Sequence, residues 1–93
     1  MNFDFEKKNT EKYGEKSNDL ISKIEKSYGG EFASLFCLAT AAKYQIRINN
    51  GKAREDGEDE AKIADYLRRQ NEICKLHNLQ KIEFEEFLKK LNI

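Results

Sequence analysis

From Phe32 to Ala42 this chain carries no charged residue, although 37% of its 93 residues are Asp, Glu, Lys or Arg. Gly29-Gly30 stands in front of the segment that runs from Glu31 to Ile48, and Asn49-Asn50-Gly51 stands behind it. Apolar side chains leave water first, so the one apolar segment of a highly charged chain has to lie in the middle of its fold. Phe32, Leu35, Phe36, Ala39, Ala42 and Ile46 recur at three- and four-residue steps and make one helical face. Cys37, Leu38, Ala41, Tyr44 and Ile48 cover most of the remaining surface. The spacing predicts a helix over about 31–48 that packs against several neighbours at once, with Phe36 and Ala39 at the centre of the core. A strand over Tyr44 to Ile48 turning at Asn49-Asn50-Gly51 is rejected, because Lys52 to Glu60 supplies no apolar partner strand.

The chain has no Val, Pro or Trp. Without Val, and with Lys, Glu, Leu, Ile and Ala plentiful, composition favours helices over strands. Residues 1–9 are polar apart from Phe3 and Phe5 and read as an N-terminal arm; 10–93 read as a single helical domain. A first helix is expected from about Thr10 or Ser17 to Tyr28, with Tyr13, Leu20, Ile21, Ile24 and Tyr28 as its apolar stripe. Gly14 weakens its first turns, and Gly29-Gly30 ends it. Lys52 to Gly57 reads as a loop. A third helix then runs to about Leu76, burying Ile63, Tyr66, Leu67, Ile73 and Cys74, with Gln70 interrupting the stripe. A last helix is expected from about Lys81 to Leu91, burying Phe84, Phe87, Leu88 and Leu91. The fold class is all-α: a small four-helix globular domain around an apolar central helix.

Seventeen basic residues balance seventeen acidic ones. A general nucleic-acid binder would carry a basic excess to neutralise phosphates. The uncharged run falls well short of the ~20 residues a helix needs to span a bilayer. The start, Met1-Asn2-Phe3-Asp4-Phe5-Glu6, has neither the basic nor the apolar region of a signal peptide. The expected location is the cytoplasm, of a bacterium or of a host cell if the gene is viral. Cys37 and Cys74 are the two cysteines, both on apolar helix faces, and read as buried free thiols.

Cys74-x-x-His77 has the spacing of half a zinc site, but Cys37 is the one remaining soft ligand and a structural site needs four. No metal and no cofactor are expected. His77 is the sole histidine, so any Cys–His or Ser–His nucleophile has to use it. Its neighbour Cys74 lies among Ile73, Leu76 and Leu79, apolar surroundings that raise a thiol pKa and silence it. No catalytic residue is assigned. Ile82 to Leu88 resembles the end of an EF-hand calcium loop with Glu86 as the bidentate ligand. The earlier ligand positions then fall on Lys75, His77 and Leu79, and Gln80 takes the place of the turn glycine, so no calcium site is made. Leu38 to Lys43 resembles the Ala-Ala-Lys helix of the small omega subunits of bacterial RNA polymerase over six residues. The resemblance stops at Tyr44-Gln45-Ile46, where that family carries a second basic pair.

Two charge features remain. Glu55, Asp56, Glu58, Asp59 and Glu60 gather where the third helix begins, where carboxylates suit the positive helix end and could also form a recognition surface. Lys43, Arg47, Lys52 and Arg54 could converge beside the Asn49-Asn50-Gly51 turn as an anion site, with Tyr44 as a stacking platform.

The absence of any catalytic motif and the four Tyr and six Phe of so short a chain lead to one expectation: a small non-enzymatic protein-interaction module. Phage- or bacterium-encoded inhibitors and accessory subunits that bind a larger protein, such as host-defence or transcription machinery, are of this kind. Its partner-binding residues would be Phe3, Phe5, Glu55, Asp56, Glu58, Asp59, Phe84 and Phe87, and a homodimer would draw on the same aromatic surface. The alternative is a nucleotide- or nucleic-acid-binding module built on the basic patch. Salt separates the two, since phosphate binding weakens steeply with ionic strength and apolar contact does not.

Overall fold

The computed structural model describes residues 19–93, which form four helices and no strand: α1 (Leu20–Tyr28), α2 (Gly30–Asn49), α3 (Glu58–His77) and α4 (Phe84–Lys90). Each boundary has a local cause. Asp19 caps α1 by accepting the Ser22 amide on Oδ1 at 2.9 Å, satisfying one of the donors a helix start leaves free. Gly29, at φ 100°, ends α1 and is also the N-cap of α2, so the chain turns between two helices with no connecting segment. Asn78 ends α3 in the left-handed region (φ 57°, ψ 46°), and the Leu79 amide returns to the Cys74 carbonyl at 2.8 Å, the backbone closure that satisfies carbonyls at a helix end. First-turn acids Glu58, Asp59 and Glu60 and last-turn Lys75 and His77 suit the dipole of α3.

α2 and α3 are antiparallel: Gly30 at the start of α2 meets His77 at the end of α3, and Arg47 near the end of α2 meets Asp59 at the start of α3. Twenty residues make a helix of ~30 Å, so the length of this pair accounts for one of the two longer dimensions of a flattened body measuring 33 × 32 × 19 Å. α1 packs on α2, and the short α4 touches it more lightly.

The buried side of α2 is its small-residue side: Gly30, Ala33, Ser34, Cys37, Leu38, Ala41 and Ala42. Ile21, Ala33, Cys37 and Ile73 form the core cluster, with Ile24, Phe36 and Tyr66 packed against it. Small side chains on α2 let α3 approach closely, and larger ones from α3 fill the space. The His77 ring lies where a Cβ on Gly30 would fall, 2.5 Å from its Cγ.

This corrects the expected centre of the core. Phe36 is half-buried and Ala39 is exposed, whereas Cys37 and Leu38 are fully enclosed. Gln70, expected to interrupt the buried stripe of α3, lies in it and donates from Nε2 to the Ile82 carbonyl at 3.0 Å. That bond ties the stretch before α4 to α3, and α4 starts at Phe84 rather than Lys81. α4 has no fully buried residue: Phe84, Phe87 and Leu88 are half-buried and Leu91 is exposed. The arm over 1–9 and the expected first turns before Asp19 lie outside the described residues.

Candidate functional site

Burying the small face of α2 leaves its large residues outside. Phe32 is 54% exposed and Leu35 and Ile46 are each 41% exposed, with exposed Ala39 between them. Tyr28, 71% exposed at the end of α1, extends the row: its ring centroid lies 5.2 Å from that of Phe32, tilted by 33°. Single exposed apolar residues are ordinary on protein surfaces, and Leu20 and Leu76 are of that sort; Ile82 and Leu91 instead line a cleft of about 470 Å³ together with Phe87. A continuous apolar row is different, because contiguous exposed apolar surface marks binding sites. Exposed Lys43 follows Ala39 by one turn, and its Nζ sits 5.0 Å from the centre of the Tyr44 ring.

The residues singled out from sequence fall elsewhere. Phe3 and Phe5 lie outside the described residues. Glu55 and Asp56 are exposed on the loop, and Asp56 Oδ1 accepts the Glu58 amide at 3.0 Å. Glu58 pairs with Arg54 at 2.9 Å. Asp59 is 0% exposed and offers no surface to a partner. Its Oδ2 accepts Arg47 Nε at 3.0 Å and the Arg54 amide at 3.3 Å. Burial works against the charge of Asp59, but these donors outweigh it and hold the carboxyl below its ordinary range.

Arg47 and Arg54 therefore converge on carboxylates of this same chain, and Arg47 Nη2 also donates to the Lys52 carbonyl at 2.9 Å. Tyr44 is half-buried and stacks on Tyr66 with centroids 6.3 Å apart. Phe84 and Phe87 are half-buried on α4.

A cleft between α1 and the end of α3, about 420 Å³ in volume, is lined by Ser22, Glu25, Lys26, Leu76 and His77. His77 Nε2 and Glu25 Oε2 approach to 2.5 Å. Ser22 Oγ instead accepts Arg69 Nη2 at 3.0 Å, and no hydrogen bond joins Ser22 to His77 among the described residues. The His77 ring face is covered by the Gly30 backbone. The arrangement ties three helices together and assembles no nucleophile–base pair. Burial pushes the Cys37 thiol up to about 11, which keeps it protonated and unreactive near neutral pH. No three His, Cys, Asp or Glu side chains converge as metal ligands among the described residues. No described helix is long and apolar enough to cross a membrane.

Comparison with protein families, with curated proteins and with solved structures finds no match to this chain.

The apolar row was missed from sequence because every apolar residue of α2 was assigned to the core. A usable signal was present: the segment that makes α2 carries two apolar faces, and a helix needs only one of them to enter a core.

Proposed function

We propose that this chain is a small non-enzymatic protein-interaction module whose contact surface is the row Tyr28, Phe32, Leu35, Ala39 and Ile46. One observation carries the reading: a helix central to the fold keeps an apolar row of large side chains in water. Covering Phe32 alone would gain about 1.5–3 kcal/mol if it were fully exposed beforehand, and roughly half of that from its present state. Aromatic side chains are also those enriched at binding hot spots. The acidic loop residues Glu55 and Asp56 are exposed, and charges outside an apolar contact tune association rate more than affinity. An inhibitor or accessory subunit acting on a larger protein fits this surface. The anion-binding alternative draws less support, because Arg47 and Arg54 already have carboxylate partners.

The test compares the intact chain with Phe32→Glu/Leu35→Glu as baits in native lysate, at low and high salt. The expected result is a co-purifying protein that withstands salt and is lost from the variant, with helicity unchanged. Retention of the same protein by the variant overturns the reading. Recovery of nucleic acid that dissociates with salt replaces it with the alternative.

A further inference from the structure

α2 runs out into Asn49-Asn50-Gly51. Asn50 is its C-cap (φ −93°, ψ 10°), and the Asn50 amide returns to the Ile46 carbonyl at 3.0 Å. Gly51 follows in the left-handed region (φ 71°), and both residues are exposed. Asn50 is the one asparagine of the chain that precedes a glycine.

That order carries a chemistry of its own. An asparagine carboxamide and the next backbone nitrogen can close into a succinimide ring, and the side chain on the following residue is what hinders closure. Glycine has none, and it turns freely. A Cβ at Gly51 would meet nothing within 4 Å, so the turn stands in open space. Other asparagines differ. Asn49 Oδ1 accepts Gln45 Nε2 at 3.0 Å, and a second asparagine follows it. Asn71 lies inside α3, and the amide after Asn78 is fastened to the Cys74 carbonyl at 2.8 Å. The Gly51 amide donates to the Ile48 carbonyl at 3.0 Å. That bond closes the last, exposed turn of α2, and helix ends are where such bonds open first.

We propose that Asn50 is a site of spontaneous deamidation, reached when the last turn of α2 opens, which converts it to isoaspartate and aspartate. The Gly51 nitrogen bonds to Asn50 Cγ and gives up its proton, the bond from Cγ to Nδ2 breaks, and ammonia leaves. Water then opens the ring at either carbonyl. Opening at the side-chain carbonyl gives aspartate. Opening at the main-chain carbonyl gives isoaspartate, in which the chain runs on through Cγ. No bond changes oxidation state, and water is the sole co-reactant.

The position of Asn50 gives the change a structural consequence. Either product places a carboxylate at the negative end of the α2 dipole. Isoaspartate also inserts a carbon into the main chain ahead of Lys52. The Lys52 amide donates to the Arg47 carbonyl at 2.8 Å, and its own carbonyl accepts Arg47 Nη2 at 2.9 Å. Arg47 in turn holds Asp59 at 3.0 Å and closes this end of the α2–α3 pair. The inserted carbon therefore loosens the junction of the two long helices.

The test incubates the full chain at pH 7 and pH 9, with and without urea, and follows ammonia release and peptide masses, with fragmentation that tells isoaspartate from aspartate. The expected result is an acidic form altered at residue 50 before any other asparagine, with isoaspartate in excess. It is expected to form faster at pH 9, because the attacking nitrogen is the deprotonated amide, and faster again in urea. Asn50→Gln is expected to lack it. Change at another asparagine first, a product free of isoaspartate, or conversion in urea alone overturns the proposal. The isoaspartate form, separated by ion exchange, is expected to unfold at lower urea than freshly prepared Asn50→Asp. Equal midpoints overturn the link to the Arg47–Asp59 junction.

Discussion

Asp19 and Arg69, 50 residues apart, form a two-pronged ion pair: Arg69 Nη1 lies 2.8 Å from Oδ2 and Nη2 lies 3.1 Å from Oδ1. The same carboxylate caps α1 through the Ser22 amide. One side chain thus starts a helix and fastens it to α3, with the planar guanidinium matched to both oxygens.

Asp19→Ala is expected to cost about 1–2 kcal/mol, most of it the lost cap. Asp19→Ser keeps a capping oxygen and loses the pair, and is expected to recover more than half of that. Urea unfolding of the three proteins checks it; equal losses for Ala and Ser would assign the whole effect to Arg69.

The carboxyls also set the response to acid. In Asp19, burial is the largest influence and raises the pKa, but the Arg69 and Ser22 hydrogen bonds together bring it below 3.8. Asp59 is likewise held below 3.8, burial being outweighed by Arg47 and the Arg54 amide. A folded pKa below the unfolded one means that the unfolded chain binds protons first as pH falls. The stability these groups contribute is complete well above 3.8, declines as pH drops through it, and is lost below the folded values. Denaturation midpoints at pH 7, 4 and 3 are expected to fall in that order. Asp59→Asn is expected to flatten the decline while lowering stability at pH 7.

Gly30 and His77 are matched by shape. A Cβ at residue 30 would lie 2.5 Å from the imidazole Cγ and Cδ2, so Gly30→Ala has to displace the ring and its contact with Glu25. Overpacking of this kind costs about 1–3 kcal/mol. In a His77→Ala background the obstruction is gone, and the same change is expected to be neutral or stabilising because Ala favours helix over Gly. A thermal-melt double-mutant cycle measures the difference, and additive effects would refute the contact.

Leu38 and Phe32 separate the two faces of α2. Leu38 is fully buried, and Leu38→Ala is expected to cost about 2–5 kcal/mol. Phe32 is more than half exposed, and Phe32→Ala is expected to change stability by less than about 1 kcal/mol despite the larger side chain removed. Chemical denaturation tests both. Reversal of the order would mean that the faces are assigned the wrong way round.

Much of the secondary structure was legible because its determinants lie within four residues of one another. Gly29-Gly30 marked the break between α1 and α2, and the expected helix over about 31–48 differs from Gly30–Asn49 by one residue at each end. The acidic turn opened α3, and His77-Asn78 closed it. The shortening of α4 was not legible, because it follows from Gln70 holding the Ile82 carbonyl across the fold.

By itself, the sequence determined that the described chain is helical, where its helices break, and that α2 is its centre, since turn residues, caps and apolar density act locally. Tertiary structure decided which face of α2 is buried. A helix apolar on both sides has no preferred inward direction of its own. The choice fell to α3, whose large side chains fit closely against Gly30, Ala33 and Cys37 and would be held off by Phe32 and Leu35. Tertiary structure likewise drew Asp59 out of the acidic loop surface to meet Arg47 across the antiparallel pair, and joined Asp19 to Arg69. Such pairings depend on how helices lie beside one another, and the same choice that closed the core left the apolar row of α2 outside.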